Sequence, residues 1–216
     1  MDDQPTPPFS RPLQKLSVTE FPPCKFLQFV DQFMGLRPQC DEVTIGTYWH
    51  SLSSLVQRVI DCVDMSMKRL NLEHLLSGVS DVPEPCVEPA ERNARIIFNV
   101  DEVGNPLTLS GCQELQELEI FADRPGIMEV KTISSITSAN IRRIAFTKVL
   151  SPDAFGPDYP GWAQLDDSLC QLVDRLEFGH RLEVEFRRLN LLRWWGEVGF
   201  KKCLPRSFEK GLARGG

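Results

Sequence analysis

At 216 residues, with 42% hydrophobic and 25% charged side chains, the chain can bury a substantial core, either as one domain or as an elongated array. Its formal net charge of −6 argues against nucleic acid or an anionic membrane as the main partner, because phosphate binding needs a basic footprint. The seven cysteines are odd in number and scattered, with no C-x-x-C pair, so they read as free, mostly buried thiols in a reducing compartment rather than a disulfide framework or a zinc site.

In chain order, residues 1–12 are polar and proline-rich and read as a disordered tail without the apolar stretch of a signal peptide. Leu13, Leu16 and Val18 then form an apolar-x-x-apolar-x-apolar phrase that reads as a strand. Pro23 suits the first turn of a helix whose apolar face is Phe26, Leu27, Val30, Phe33 and Met34. Cys40, Val43 and Ile45 repeat the strand phrase, and Leu52, Leu55, Val56, Val59, Ile60 and Val63 make an amphipathic helix that Ser51 can cap. Met67, Leu70 and Leu72 follow as the next strand.

Residues 77–92, with three prolines and four acids, read as an exposed loop, and residues 95–100 (RIIFNV) read as a strand. Leu115, Leu118 and Ile120 form another strand phrase; Val130, Ile133 and Ile136 mark a helix; Ile141, Ile144 and Phe146 form the next strand. Residues 151–161 read as a long loop, after which Asp166 or Asp167 can cap a helix carrying Leu169, Leu172, Val173 and Leu176. Residues 181–187 (RLEVEFR) alternate strictly and read as a strand. Residues 190–216 carry Trp194 and Trp195, which suit the capping of an open core, and end in a stretch that looks frayed.

The central apolar residues of these phrases are Leu16, Val43, Leu70, Ile96, Leu118, Ile144 and Leu182, at steps of 27, 27, 26, 22, 26 and 38 residues. Most of these steps lie in the 20–29 range of leucine-rich repeats, and helical stripes fall between most of the strands. The expected fold is therefore α/β: an irregular leucine-rich-repeat-like solenoid, or horseshoe, with a parallel sheet and outer helices over residues 13–189. The asparagine that usually follows such a strand is missing; its places are held by Phe21, Tyr48, Leu75, Asp101, Asp123, Val149 and Arg187, so irregular turns are expected.

The segments 109–120, 133–146 and 162–176 resemble the C-terminal halves of F-box-type leucine-rich-repeat proteins of mushroom-forming fungi, and Leu204-Pro-Arg-Ser-Phe-Glu-Lys-Gly211 is similar to their closing segment. The resemblance implies a repeat surface that holds a substrate, and through an F-box a Skp1-type linker and a cullin ubiquitin ligase. With residues 1–12 alone ahead of the first strand phrase, the chain reads as the recognition part without the F-box.

In a horseshoe the intervening strand positions face the concave side. The candidate partner-binding residues there are Arg69, Asn71, Arg95, Glu117, Glu119, Arg143, Arg181 and Glu183, beside Lys15, Ser17, Glu42, Thr44, Ile97 and Ala145. Phe155, Tyr159 and Trp162 are candidate aromatic anchors in the long loop, with folding back onto the core as the alternative. The three histidines His50, His74 and His180 have no second ligand at helical spacing, so no metal is expected. No G-x-S-x-G, P-loop or dinucleotide fingerprint occurs, and no cofactor is expected. The sequence therefore points to a non-catalytic protein-interaction module of the cytoplasm or nucleus. A small α/β enzyme with an unrecognised active site, or a degenerate paralogue without a partner, are the alternatives.

Overall fold

The computed structural model describes residues 13–19, 23–34, 38–46, 53–63, 66–73, 106–121, 126–147, 160–176, 181–187 and 201–215. Strand β1 (Leu13–Thr19) is followed by helix α1 (Pro23–Met34), β2 (Cys40–Gly46), α2 (Ser53–Val63) and β3 (Arg69–Glu73). Then come β4 (Glu117–Phe121), α3 (Ile127–Ser134), β5 (Arg143–Thr147), α4 (Pro160–Arg175), β6 (Glu183–Arg187), α5 (Pro205–Glu209) and β7 (Ala213–Gly215). The strands form one open sheet in sequence order, β1 to β7, and every neighbouring pair is parallel. A helix lies in sequence between the strands of nearly every such pair, as a parallel connection requires.

The strand phrases explain the register. Leu16, Val43, Leu70, Leu118, Ile144 and Val184 stand in one row across the sheet, and Val18, Ile45, Leu72, Ile120, Phe146 and Phe186 in the next. Side chains alternate across a strand, so both rows leave on the same face. There they join one apolar cluster with Val30 and Phe33 of α1, Val56, Val59, Ile60 and Val63 of α2, Ile133 of α3, and Leu165, Leu169 and Leu172 of α4. Phe146 stacks on Phe186 at 5.0 Å, and the Trp162 ring lies 6.0 Å from Phe186.

Four expectations need correction. First, Leu70 pairs directly with Leu118, so no strand stands between β3 and β4. Residues 95–100, expected as a strand, lie outside the described ones. Second, the residue of β6 aligned with Ile144 is Val184, not Leu182. Third, α4 begins at Pro160, where a missing N–H is tolerated, so Asp166 sits inside it and does not cap it. Fourth, the end of the chain contains a strand, since Ala213–Gly215 pairs with β6.

Asp166 has another task. Its carboxylate accepts the backbone N–H of Arg206 at 3.1 Å and of Ser207 at 2.8 Å, so a side chain buried in α4 caps the first turn of α5. Arg206 also pairs with Asp167, and Lys210 with Asp174. At the other end of α5 the chain turns through Gly211 at φ +70°. Leu212 N–H donates to Ser207 O and Gly211 N–H to Phe208 O, both at 2.9 Å, which is the Schellman arrangement. The turn buries Leu212 and sends the next residues along β6.

Among the described residues, hydroxyl groups carry bonds of the kind an asparagine ladder would make, beside one from Asn140 Nδ2 to Gln113 O at 3.4 Å. Ser135 Oγ accepts from Leu109 N at 2.8 Å, and Thr132 Oγ1 accepts from Leu107 N at 3.2 Å. Ser138 Oγ lies 2.8 Å from both Gln113 O and Leu115 O, and Ser66 Oγ accepts from Cys40 N at 3.0 Å. Each bond joins residues about one repeat apart in the sequence, so these backbone groups stay satisfied without a repeated sequence signal.

Candidate functional site

The face of the sheet opposite the core carries the polar strand positions. Its first row, in register, is Lys15, Glu42, Arg69, Glu117, Arg143 and Glu183. The sign of the charge alternates at every strand. The second row is Ser17, Thr44, Asn71, Glu119, Ala145 and Glu185. Thr44 and Ala145 are buried, as small residues between longer neighbours must be, whereas Lys15 and Arg69 keep more than half of their side chains in solvent.

Adjacent strands stand about 4.8 Å apart, close enough for long side chains to pair sideways. Lys15 meets Glu42 at 2.6 Å, and Arg69 reaches the same carboxylate at 3.5 Å. Further along, Glu117 takes Arg142 at 2.9 Å. Arg143 passes over its register neighbour Glu183 and binds Glu185, with its Nε at 3.1 Å. Exposed pairs of this kind add little stability, about 0–1 kcal/mol each. Their effect is to fix where each charge sits.

At the start of strands β4 to β6 this face opens into a cavity of about 370 Å³ lined by Glu117, Arg142, Arg143, Arg181 and Glu183. A site for an apolar small molecule would present hydrophobic and aromatic walls. Among the described residues, this one presents three guanidinium groups and two carboxylates.

The structure thus brings together Glu117, Arg143, Arg181 and Glu183 of the expected residues, with Arg69, Asn71 and Glu119 on the same face toward β3 and β4. Arg181 precedes β6 rather than standing in the charged row, because the strand is displaced by two residues from the expected phase. Arg95, Phe155 and Tyr159 lie outside the described residues. Trp162 is a correction. It belongs to α4, is 1% exposed and packs against Phe186, so it is a core residue and not a loop anchor.

Two members of the site were not foreseen. Glu185 would have followed from aligning Val184 with Ile144, and the strict alternation of β6 permits that phase as readily as the other. Arg142 sits between the first two apolar positions of its phrase, where side-chain direction is not fixed by alternation.

The described cysteines are free: Cys40, Cys112, Cys170 and Cys203 are buried and Cys62 is half-buried. Burial pushes the Cys40 thiol above its ordinary range, against backbone hydrogen bonds at Glu42 and Leu16 that favour the thiolate, and raises Cys203 to about 11 against the pull of Lys202. A cysteine nucleophile needs the opposite shift. Among the described residues no group of three His, Cys, Asp or Glu side chains is placed to hold a metal, and no helix is long and apolar enough to cross a membrane. The histidines lie outside the described residues.

Comparison of the chain with protein-family models, with curated proteins and with solved structures finds no match in any of the three.

Proposed function

We propose that the chain is a non-catalytic module of the cytoplasm or nucleus that recognises another protein on the charged face of its sheet. In this reading the sheet and its helices form an irregular leucine-rich-repeat-like horseshoe with that face on the concave side. The observation that carries it is the row from Lys15 to Glu183, in which sign alternates over six strands in unbroken register. Such a row presents a pattern rather than a uniform field. A pattern selects partners mainly by rejecting wrong ones, since like charges brought together cost more than an exposed pair returns.

The horseshoe is supported by the sequential order of the strands, their uniform parallel pairing, and steps of 27, 27 and 26 residues from Leu16 to Val43, Val43 to Leu70 and Leu118 to Ile144. The resemblance to F-box-type leucine-rich-repeat proteins supports a narrower role. The chain would then be the substrate-holding part of a ubiquitin-ligase adaptor, working with a Skp1-type linker and a cullin.

Affinity purification of the tagged chain from its native cells, read by mass spectrometry, tests both levels. The expected result is a protein retained in stoichiometric amount by the native chain and lost from a Lys15→Glu, Arg69→Glu variant. Linker and cullin subunits in the same sample support the adaptor role. A partner held equally by the variant, or none at all, overturns the reading.

A further inference from the structure

The charged row is not uniform along its length. From β1 to β3 its charges are paired with one another. At β6 the pattern breaks. Because Arg143 binds Glu185, Glu183 is left without an ion pair among the described residues, and so is Arg181 two positions before it. Both are exposed and both line the 370 Å³ cavity. Arg142, beside them, uses one terminal nitrogen on Glu117, and a guanidinium has five N–H donors to give. The backbone bond from Glu183 N to Arg142 O, 2.8 Å, holds the two strand entries side by side.

A simple anion such as phosphate would meet Glu117 and Glu183 as well as the arginines. A simple cation would meet three guanidinium groups. A ligand that carries both signs meets neither difficulty. The spacing then selects its form. Arg181 and Glu183 are two residues apart, so their side chains leave the same side of an extended chain about 6.7 Å apart. An extended ligand repeats its own same-side residues at that distance. The cavity has room for about a dozen waters, enough to be replaced by two side-chain heads.

We propose that this end of the face seats an extended stretch of a partner polypeptide carrying an acidic and a basic side chain two residues apart. The acid lies between Arg142 and Arg181 and the base on Glu183. The assignment rests on the reading of this face as a protein-recognition surface, and it names what one end of that surface selects.

Four synthetic peptides on a Ser-Val framework test it by fluorescence anisotropy at low salt. They carry Glu-Val-Lys, Glu-Val-Glu, Lys-Val-Lys, or Glu and Lys as adjacent residues. The native chain is expected to prefer Glu-Val-Lys by about fivefold, the effect of roughly one exposed ion pair. The preference shrinks in high salt, as the screening length falls from about 10 Å at 0.1 M to about 3 Å at 1 M. Glu183→Arg is expected to shift the preference to Glu-Val-Glu, and Arg181→Glu to Lys-Val-Lys.

Equal binding of the adjacent-charge peptide, tighter binding of Glu-Val-Glu by the native chain, an order of preference unchanged in the two variants, or no binding of any peptide would each overturn the assignment. Its failure is separable from that of the wider reading. A cellular partner lost on Lys15→Glu, Arg69→Glu but kept by the two β6 variants leaves the recognition surface standing without this subsite.

Discussion

Among the described residues between β1 and β3, two helices turn apolar residues to the core, and Ser66 Oγ on Cys40 N is a polar tie between segments. Val30 and Phe33 of α1 and Val56, Val59, Ile60 and Val63 of α2 are almost wholly out of solvent. From β4 to β7 the same kind of core continues, but much of the fixing is polar: Thr132, Ser135 and Ser138 hold the turns, Glu129 accepts Gly126 N at 2.8 Å at the start of α3, and Asp166 holds α5. Periodic apolar packing decides which elements stack. Bonds from single side chains to backbone decide where irregular segments begin and end. The first means spreads its energy over many contacts, and the second concentrates it in a few atoms.

The largest effect expected from this difference comes from Ile60→Ala. It opens a cavity in a fully buried site, at a cost of about 4 kcal/mol. Because the contacts are spread, chemical denaturation should show the loss as a lowered stability of the whole transition. Asp166→Ala should cost about 3 kcal/mol, since it strands two N–H groups, one of them buried. Its signature should be local: hydrogen exchange should rise in 205–215 well before it rises in β2 or α2. If Asp166→Ala lowers protection evenly across the sheet, the two halves are not held differently.

The smallest effect is alkaline, and it touches both ends through Cys40 and Cys203. A thiol with a folded pKa above its unfolded one favours the folded state while it is protonated. The Cys203 contribution is therefore complete below its ordinary 9.0 and is lost as the pH rises through about 11. About 1 kcal/mol should be gone by pH 10. Cys203→Ala should lose less stability between pH 9 and 10 than the native chain. The contribution of Cys40, which has the same sign, remains in that variant. An identical pH slope in both proteins would show that the burial of Cys203 does not govern it.

The same contrast sets what the sequence makes legible. The phrases that lead into or form β1 to β5 hold three apolar residues each in fixed spacing, and the structure places them in register at Val43, Leu70, Leu118 and Ile144. In the phrase of β6 the first apolar place, ahead of the strand, holds Arg181, which leaves strict alternation with no mark of phase, and the expected alignment slips by two residues. β7 has no pattern to read. Ala213–Gly215 is a strand because the Gly211 turn delivers it to β6. Asp166 and Asp167 are both plausible helix caps by residue type, and residue type does not reveal that Asp166 caps a different helix 40 residues on. Of the site, a charged face was legible in the residues, but its sign alternation depends on the pairing of β3 with β4 and on the phase of β6, and the break at Glu183 depends on which carboxylate Arg143 chooses.

The length of the two edge strands has a further consequence. An uncovered edge offers its backbone to any passing extended chain, and such edges are where sheets join into aggregates. At one side the sheet ends in β7, three residues long, so a stranger could gain very few backbone bonds there. At the other it ends in β1, seven residues long, with no described strand beyond it. Among the described residues, the edge at β7 therefore offers an incoming strand less backbone than the edge at β1. There Lys15 and the partly buried Leu13 and Leu16 are what an incoming strand would meet.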